Sequence, residues 1–270
     1  MSTQVVARKD LADAGRSRTL WAVTAVVVLL TGGIAALIAT TQREEPARQI
    51  LSFTFQLSVG TLPIVGLVLG KGAITAERES GSLRMLLSLP PSRGSVLAGK
   101  FLGRSVLMLA ATAVGVGVTV AALVGFGIGG ELSLFVSFAT ALATMGVAFV
   151  AVGVAISASV ETETRATALA VTVFMIAVVL WNVVMQAIRF IAVELGLLSE
   201  TAETAPLWLR VLQTLPPNEA ANGVFNALSQ GTALAPDPFA SAWFPALLLL
   251  AWIVLPLAVG YLRFRDADLG

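Results

Sequence analysis

Six uninterrupted apolar stretches dominate the chain, and each is about as long as a helix needs to cross a lipid bilayer. A transmembrane helix requires about 20 consecutive apolar residues. The six stretches cover residues 20–40, 50–69, 106–128, 134–156, 166–188 and 243–262. Strands of a membrane barrel are about half that length and alternate in polarity. We therefore predict an all-α integral membrane protein with six transmembrane helices, forming a single transmembrane domain over residues 1–270.

The composition supports this prediction and excludes several functions. Hydrophobic residues make up 57% of the chain and charged residues 12%, whereas soluble domains carry about a quarter charged residues. The net charge of +1 gives no basic excess for nucleic acid, so we expect no such partner. The chain has no Cys and no His, which excludes disulfides and the zinc sites built from those residues. We predict no metal site.

Lys and Arg are distributed unevenly between alternate loops. Thirteen of them lie in the N-terminal segment, in the loops after the second and fourth stretches and in the C-terminal tail, and four lie in the other loops. Positively charged residues near membrane helices stay on the cytoplasmic side. The bias predicts that both termini are cytoplasmic.

All sixteen carboxylates lie outside the six stretches. Proton-driven transporters commonly place Asp, Glu or His within the membrane, and intramembrane proteases need such residues as well. We therefore predict no catalytic residue and no enzyme activity. A membrane-embedded enzyme or a structural membrane protein remains the alternative; for an enzyme, only Glu194, Glu200 and Glu203 approach a polar cluster.

One segment resembles a phosphate-binding loop without completing it. Residues 94–100 match the first seven positions of GxxxxGK[ST], but Phe101 replaces the hydroxyl that binds magnesium. The segment also leads into a membrane helix instead of following a strand. We predict no nucleotide or other cofactor site in the chain, and interpret Lys100 and Arg104 as cytoplasmic anchors of the third span.

Two loops are long enough to fold. In the cytoplasmic loop over residues 70–105, Leu83, Leu86 and Leu87 share a helical face, and two prolines follow at 90 and 91. This pattern predicts a short amphipathic helix. In the external loop over 189–242, one helix is predicted after Pro206 and a second after the prolines at 216 and 217. Two short amphipathic helices suit the membrane interface or a partial re-entry.

Polar residues on the fifth span share one face. Asn182, Gln186 and Arg189 recur at i, i+4 and i+7. They form either the lining of a substrate path or, as is more common, interhelical hydrogen bonds with Arg189 as an interfacial anchor. The same choice applies to Gln56 in the second span.

Two pairs of glycines, 66 with 70 and 125 with 129, fit the small-residue pattern of packed membrane helices. Glycine is common in membrane helices, so the pattern alone does not show which pair makes a contact.

The cytoplasmic loop carries motifs that resemble the ABC-2 type permeases. Residues 77–83 fit their E-x-E-x-G-[TS]-L helix, residues 86–93 fit their LLS-P-x-SR turn, and residues 97–101 end in GKF. Residues 7–18, 215–219 and 261–266 are also similar to segments of that family. Within the family, the opening 7–18 is most similar to the permeases that serve nitrous-oxide-reductase maturation.

The resemblance implies a permease subunit of an ATP-driven transporter, in most relatives an exporter, in the plasma membrane of a prokaryote. It implies a second permease copy and two ATPase subunits that bind ATP and magnesium, since this chain has no such site. An extracytoplasmic accessory protein is a further expected partner. In this family the amphipathic helix of the cytoplasmic loop would be the coupling helix, which contacts the ATPase, and the turn over residues 157–165 would be a second, smaller contact. The residues that would make these contacts are Glu77, Glu79, Gly81, Leu83, Leu86, Leu87, Glu161 and Glu163. Gln56, Asn182 and Gln186 are the candidates for a substrate path.

Overall fold

A computed structural model describes residue 7 and residues 18–41, 46–80, 92–198 and 205–266 of the chain. All regular secondary structure in these ranges is helical. Within them, six segments are long and apolar enough to cross a membrane: Trp21–Thr41, Ala47–Glu79, Arg93–Gly125, Leu132–Ser159, Glu163–Glu194 and Trp243–Asp266. The all-α architecture and the six candidate spans are therefore confirmed.

The first four spans comprise the following helices. In the first span, a π-helical turn over Leu29–Gly33 joins α1 (Arg18–Val28) and α2 (Ile34–Thr41). The second span is α3 (Ala47–Lys71), followed by the short helix α4 (Thr75–Glu79). The third is α5 (Arg93–Gly125) and the fourth is α6 (Leu132–Ser159).

The rest of the chain adds a broken fifth span, two short helices and the sixth span. A π-helical turn over Met175–Leu180 joins α7 (Glu163–Phe174) to α8 (Trp181–Glu194) in the fifth span. The short helices predicted after Pro206 and after the prolines at 216 and 217 are α9 (Leu207–Thr214) and α10 (Pro217–Ser229), and the sixth span is α11 (Trp243–Asp266).

The third helix begins much earlier than its apolar stretch. It starts at Arg93 instead of near residue 106, because the Ser92 hydroxyl caps it by accepting a hydrogen bond from the Ser95 N–H at 3.2 Å. Its first turns carry Arg93, Lys100 and Arg104 and extend beyond the apolar stretch. Hydropathy locates the part of a helix that suits lipid, whereas the cap determines where the helix begins.

The fourth span lies at the centre of the bundle, packed against the second, third and sixth spans and α10. Its closest neighbour is the second span, where a Cβ on Gly70 would lie 2.6 Å from the backbone nitrogen of Val154. Gly66 faces the same helix, so of the two glycine pairs this one makes a helix contact. Gly125 and Gly129, which have the same spacing, make no such contact, because no described atom lies within 4 Å of a Cβ built on either residue.

The second of these short helices, α10, packs into the bundle. Phe225 on α10 stacks on Phe55 of the second span, with ring centroids 5.2 Å apart, and meets Phe138 of the fourth span edge-on at 6.2 Å. The predicted apolar face of α10 is thus real, with Ala221 and Val224 also buried. It is covered by the protein's own helices, because the aromatic rings fill the gap between the second and fourth spans.

The fifth span lies at the periphery. In an apolar 18-residue window of the fourth span, 67% of the residues are buried, against 17% in the fifth. The fifth span contacts the second span mainly through α7. Most of its surface therefore faces away from the rest of the single chain.

Candidate functional site

One end of the bundle is organised around the hydroxyl of Ser157, near the end of the fourth span. Its Oγ accepts hydrogen bonds from the backbone N–H groups of Ile74 and Thr75, at 2.9 and 3.0 Å. Both donors belong to the start of α4, and Ser157 is fully buried. Because buried backbone donors are costly to leave unpaired, this hydroxyl fixes α4 against the fourth span.

The short helix α4 is also bonded to the turn that follows the fourth span. The Arg78 guanidinium donates to the carbonyl of Val160 at 3.0 Å. The Glu79 carboxylate accepts the backbone N–H of Glu163 at 2.7 Å, and so caps the first turn of α7, where a negative charge is favoured. The two contacts predicted separately for the ATPase, one on α4 and one on this turn, form a single hydrogen-bonded unit, which we call the α4 platform (residues 74–79 and 157–163).

Charges within and beside the platform are paired to different degrees. Glu77 forms an ion pair with Lys100 at 2.7 Å, in which the lysine side chain is only 9% exposed. Glu161 pairs with Arg165 at 3.2 Å, with both side chains largely exposed. Glu77 therefore stabilises the start of the third span, whereas Glu161 lies on the open surface. Lys100, predicted as a cytoplasmic anchor of the third span, is a buried member of an ion pair.

Four of the predicted coupling residues, Gly81, Leu83, Leu86 and Leu87, lie outside the described residues. The described part of the predicted helix is α4, which ends at Glu79. Ser157 and Arg78 were not predicted from the sequence. One sequence signal could have indicated the role of Ser157. It is a hydroxyl residue at the predicted turn, where such side chains often form hydrogen bonds with backbone groups.

A polar cavity of about 350 Å³ lies at the opposite end of the bundle. It is lined by Trp181, Asn182, Met185, Gln186, Arg189, Gln213 and Glu219. The predicted polar face of the fifth span therefore forms one wall, and Asn182, Gln186 and Arg189 are all exposed. Within the described part of the chain, none of these three makes an interhelical hydrogen bond or an ion pair.

Glu219 supplies the negative charge of this cavity from the first turn of α10. Burial raises the pKa of its carboxyl above the ordinary value. The Asn218 amide, itself 1% exposed, donates to the Glu219 carboxylate at 3.2 Å and holds it in place. Glu219 and Gln213 had no predicted role, because the chain brings them to the fifth span only through the packing of α9 and α10.

Gln56, the third candidate for the path, lies at about the depth of Asn182. The Lys71 ammonium donates to the Thr167 hydroxyl at 2.9 Å, which fixes the antiparallel register of the second and fifth spans. Gln56 is fifteen residues before Lys71, and Asn182 is fifteen residues after Thr167. At 1.5 Å per residue both lie about 22 Å from that bond. Gln56 is exposed and does not line the polar cavity.

Six apolar spans, with a bonded platform at one end and a polar cavity at the other, define a multi-pass α-helical membrane protein. Among the described residues, no three Asp or Glu side chains come together as a group that could hold a metal ion. The chain belongs to the ABC-2 family of transporter proteins, whose sequence profile matches residues 4–269.

Two curated relatives share part of the sequence. A probable ABC transporter permease protein NosY of Pseudomonas aeruginosa is 38% identical over 114 residues, which is 40% of this chain and 41% of the relative. A probable ABC transporter permease protein NosY of Stutzerimonas stutzeri is 33% identical over 112 residues, again 40% and 41%. Each match thus spans about two fifths of the relative's length.

Proposed function

We propose that this chain is the membrane-spanning permease subunit of an ATP-driven ABC transporter, energised by separate ATPase subunits. Family membership and the two relatives named as ABC transporter permeases support this proposal. ATP and magnesium would bind the ATPase subunits, and this chain would carry no cofactor or catalytic residue. It would be one transmembrane domain in the plasma membrane of a prokaryote.

The observation that carries the proposal is the α4 platform. A loop that merely connects two spans does not need three elements bonded together, yet α4, the fourth span and the start of α7 are joined at Ser157, Arg78 and Glu79. A rigid unit at one membrane face can pass a displacement from a docked partner to several spans at once. We place the ATPase contact here and in the adjoining segment with Gly81, Leu83, Leu86 and Leu87.

The charge asymmetry of the loops supports the orientation of the proposal. With 13 of 17 Lys and Arg residues at the end that includes the platform and the termini, this end faces the cytoplasm, where ATP is available. The polar cavity then opens on the outer side. Export is the proposed direction, and an extracytoplasmic accessory protein would meet the α9 and α10 side.

The exposed amides support a polar path across the outer half of the membrane. Gln56, Asn182 and Gln186 lie on the surface of the single chain, and polar groups at membrane depth normally face protein or a water-filled space. We propose that two copies of the chain assemble into the working unit and that these residues line the path.

The experiment that tests this function is copurification of the tagged chain with the ATPase from its native membrane. Leu83→Asp combined with Leu86→Asp should leave insertion and yield unchanged and remove the ATPase, because two carboxylates would replace an apolar docking face. The matched control is Leu195→Asp combined with Leu197→Asp, since both leucines are 68% exposed and lie beyond the far end of the fifth span.

The control variant should retain the ATPase. Copurification of the ATPase at normal yield with the Leu83 and Leu86 variant would refute the docking assignment. Absence of any P-loop ATPase from the unmodified preparation would refute the permease function and favour a structural membrane protein or an enzyme.

A further inference from the structure

We infer that the polar cavity beside the fifth span binds a small zwitterionic solute, with an anionic group at Arg189 and an ammonium group at Glu219. This inference rests on the proposed transport function only in taking the cavity as part of the substrate path. The charges, amides and volume of the cavity support the binding site independently of that function.

The cavity contains two opposite charges that do not neutralise each other. Arg189 reaches it from the fifth span and Glu219 from α10. Their charged groups are not within ion-pair distance of each other, and neither forms an ion pair elsewhere in the described ranges. A site that holds both signs apart is therefore complementary to a ligand that also holds both signs apart.

The charge balance selects against ligands of a single sign. Arg189 and Glu219 together carry no net charge, so a zwitterion leaves the occupied cavity neutral. A simple anion would be attracted to Arg189 and repelled by Glu219, and a simple cation would meet the reverse arrangement.

The remaining lining residues fit the middle of such a ligand. Asn182, Gln186 and Gln213 each offer an amide that can donate and accept hydrogen bonds. The Trp181 indole N–H is already bonded to the carbonyl of Leu212 at 3.2 Å, so its ring presents an apolar surface. The volume of about 350 Å³ lies at the lower end of the range of small-molecule sites.

The state of Glu219 supports the ammonium end of this assignment. Burial raises the pKa of its carboxyl, because desolvation disfavours the charged form. A bound ammonium would compensate for that desolvation. The amide of Asn218 already orients the carboxylate toward one position.

The test uses NMR to measure saturation transfer from the full chain in lipid nanodiscs to three probes of similar size. These are triglycine, which is zwitterionic, triglycine amide, which is a cation, and N-acetyl-triglycine, which is an anion. Glycine and diglycine extend the series to shorter charge separations. We expect saturable transfer to at least one zwitterion and at least tenfold weaker binding of the cation and the anion.

Arg189→Gln and Glu219→Gln should each weaken binding of the zwitterion at least tenfold. The matched controls, Arg48→Gln and Glu194→Gln, remove an exposed charge that does not line the cavity and should not change binding. Equal binding of the zwitterion, cation and anion, no saturable transfer to any of the zwitterions, or unchanged binding in both cavity variants would each overturn the inference. Unfolding temperatures within a few degrees of the unmodified chain will verify that the variants are folded.

Failure of this inference can be told apart from failure of the proposed function. The NMR measurement needs no ATPase, whereas copurification needs no ligand. Loss of the ATPase contact with retained zwitterion binding would reject the transporter assembly alone, and the opposite result would reject the zwitterion site alone.

Discussion

The fourth and fifth spans are both long apolar helices, yet they occupy opposite places in the bundle. In comparable apolar windows, 67% of the fourth span is buried and 17% of the fifth. The fourth span carries Gly146 and Gly153, which admit neighbouring side chains and backbone to close distances; the fifth has no glycine. In a membrane, lipid tails are as apolar as leucine, so close packing of small residues decides which helix becomes central.

The polar groups of the two spans follow the same division. Ser157 of the fourth span is buried and accepts two backbone hydrogen bonds. Asn182 and Gln186 of the fifth span are exposed and line a cavity. The fourth span thus uses its polar atoms to hold the chain together, whereas those of the fifth remain available to water, a solute or another chain.

The largest expected effect comes from filling the closest contact of the fourth span. In Gly70→Val, the added Cβ would meet backbone atoms of Val154, Val150 and Gly153 at 2.6–2.8 Å, and backbone cannot rotate away. Overpacking typically costs about 1–3 kcal/mol and occasionally more, and we expect roughly 3 kcal/mol or loss of folded protein. The measurement is thermal unfolding in detergent together with yield.

Gly60→Val on the same helix is the control, since nothing described lies within 4 Å of its built Cβ. It should change stability by less than about 1 kcal/mol. Equal destabilisation by both substitutions would mean that helix propensity, and not the fourth-span contact, sets the stability.

A smaller effect is expected from truncating a phenylalanine in each span. Phe149 of the fourth span is fully buried and Phe190 of the fifth is 67% exposed. In water Phe→Ala costs about 3–5 kcal/mol, but a micelle solvates the unfolded state with apolar tails. Only the lost packing contacts then remain, so we expect about 2 kcal/mol for Phe149→Ala.

The matched Phe190→Ala should cost less than about 0.5 kcal/mol in the isolated chain. Unfolding in mixed micelles of increasing denaturing detergent would compare the two variants directly. A loss at Phe190 as large as that at Phe149 would show that the fifth span is covered in the purified protein.

The number of spans could be predicted because apolar length is a local property of the sequence. It could not be predicted that Gly70 makes a close helix contact while Gly129 makes none. Both glycines belong to the same spacing pattern, and only the packing of distant helices distinguishes them. The shared face of Asn182, Gln186 and Arg189 follows from the helical period alone. Glu219 joins that face through tertiary packing of α10, and its position in the sequence does not indicate this.

The smallest effect on stability, and the most direct test of how the two spans differ, comes from single cysteines. The native chain has none, so each introduced thiol reports only its own surroundings. Thiols react as thiolates, and a thiol surrounded by lipid remains protonated because burial disfavours the charged form. We expect Asn182→Cys and Gln186→Cys to react with a hydrophilic thiosulfonate reagent at least tenfold faster than Val183→Cys, a 61% exposed neighbour on a different face of the helix.

Val150→Cys in the fully buried centre of the fourth span should not react in the native protein and should react after unfolding. None of the fifth-span variants should shift the unfolding midpoint by more than about 0.5 kcal/mol, since these side chains are exposed. If the cysteines at 182 and 186 react as slowly as the one at 183, the amide face is covered by lipid or by a second chain. The fifth span would then be an interface, and the polar path would have to be placed elsewhere.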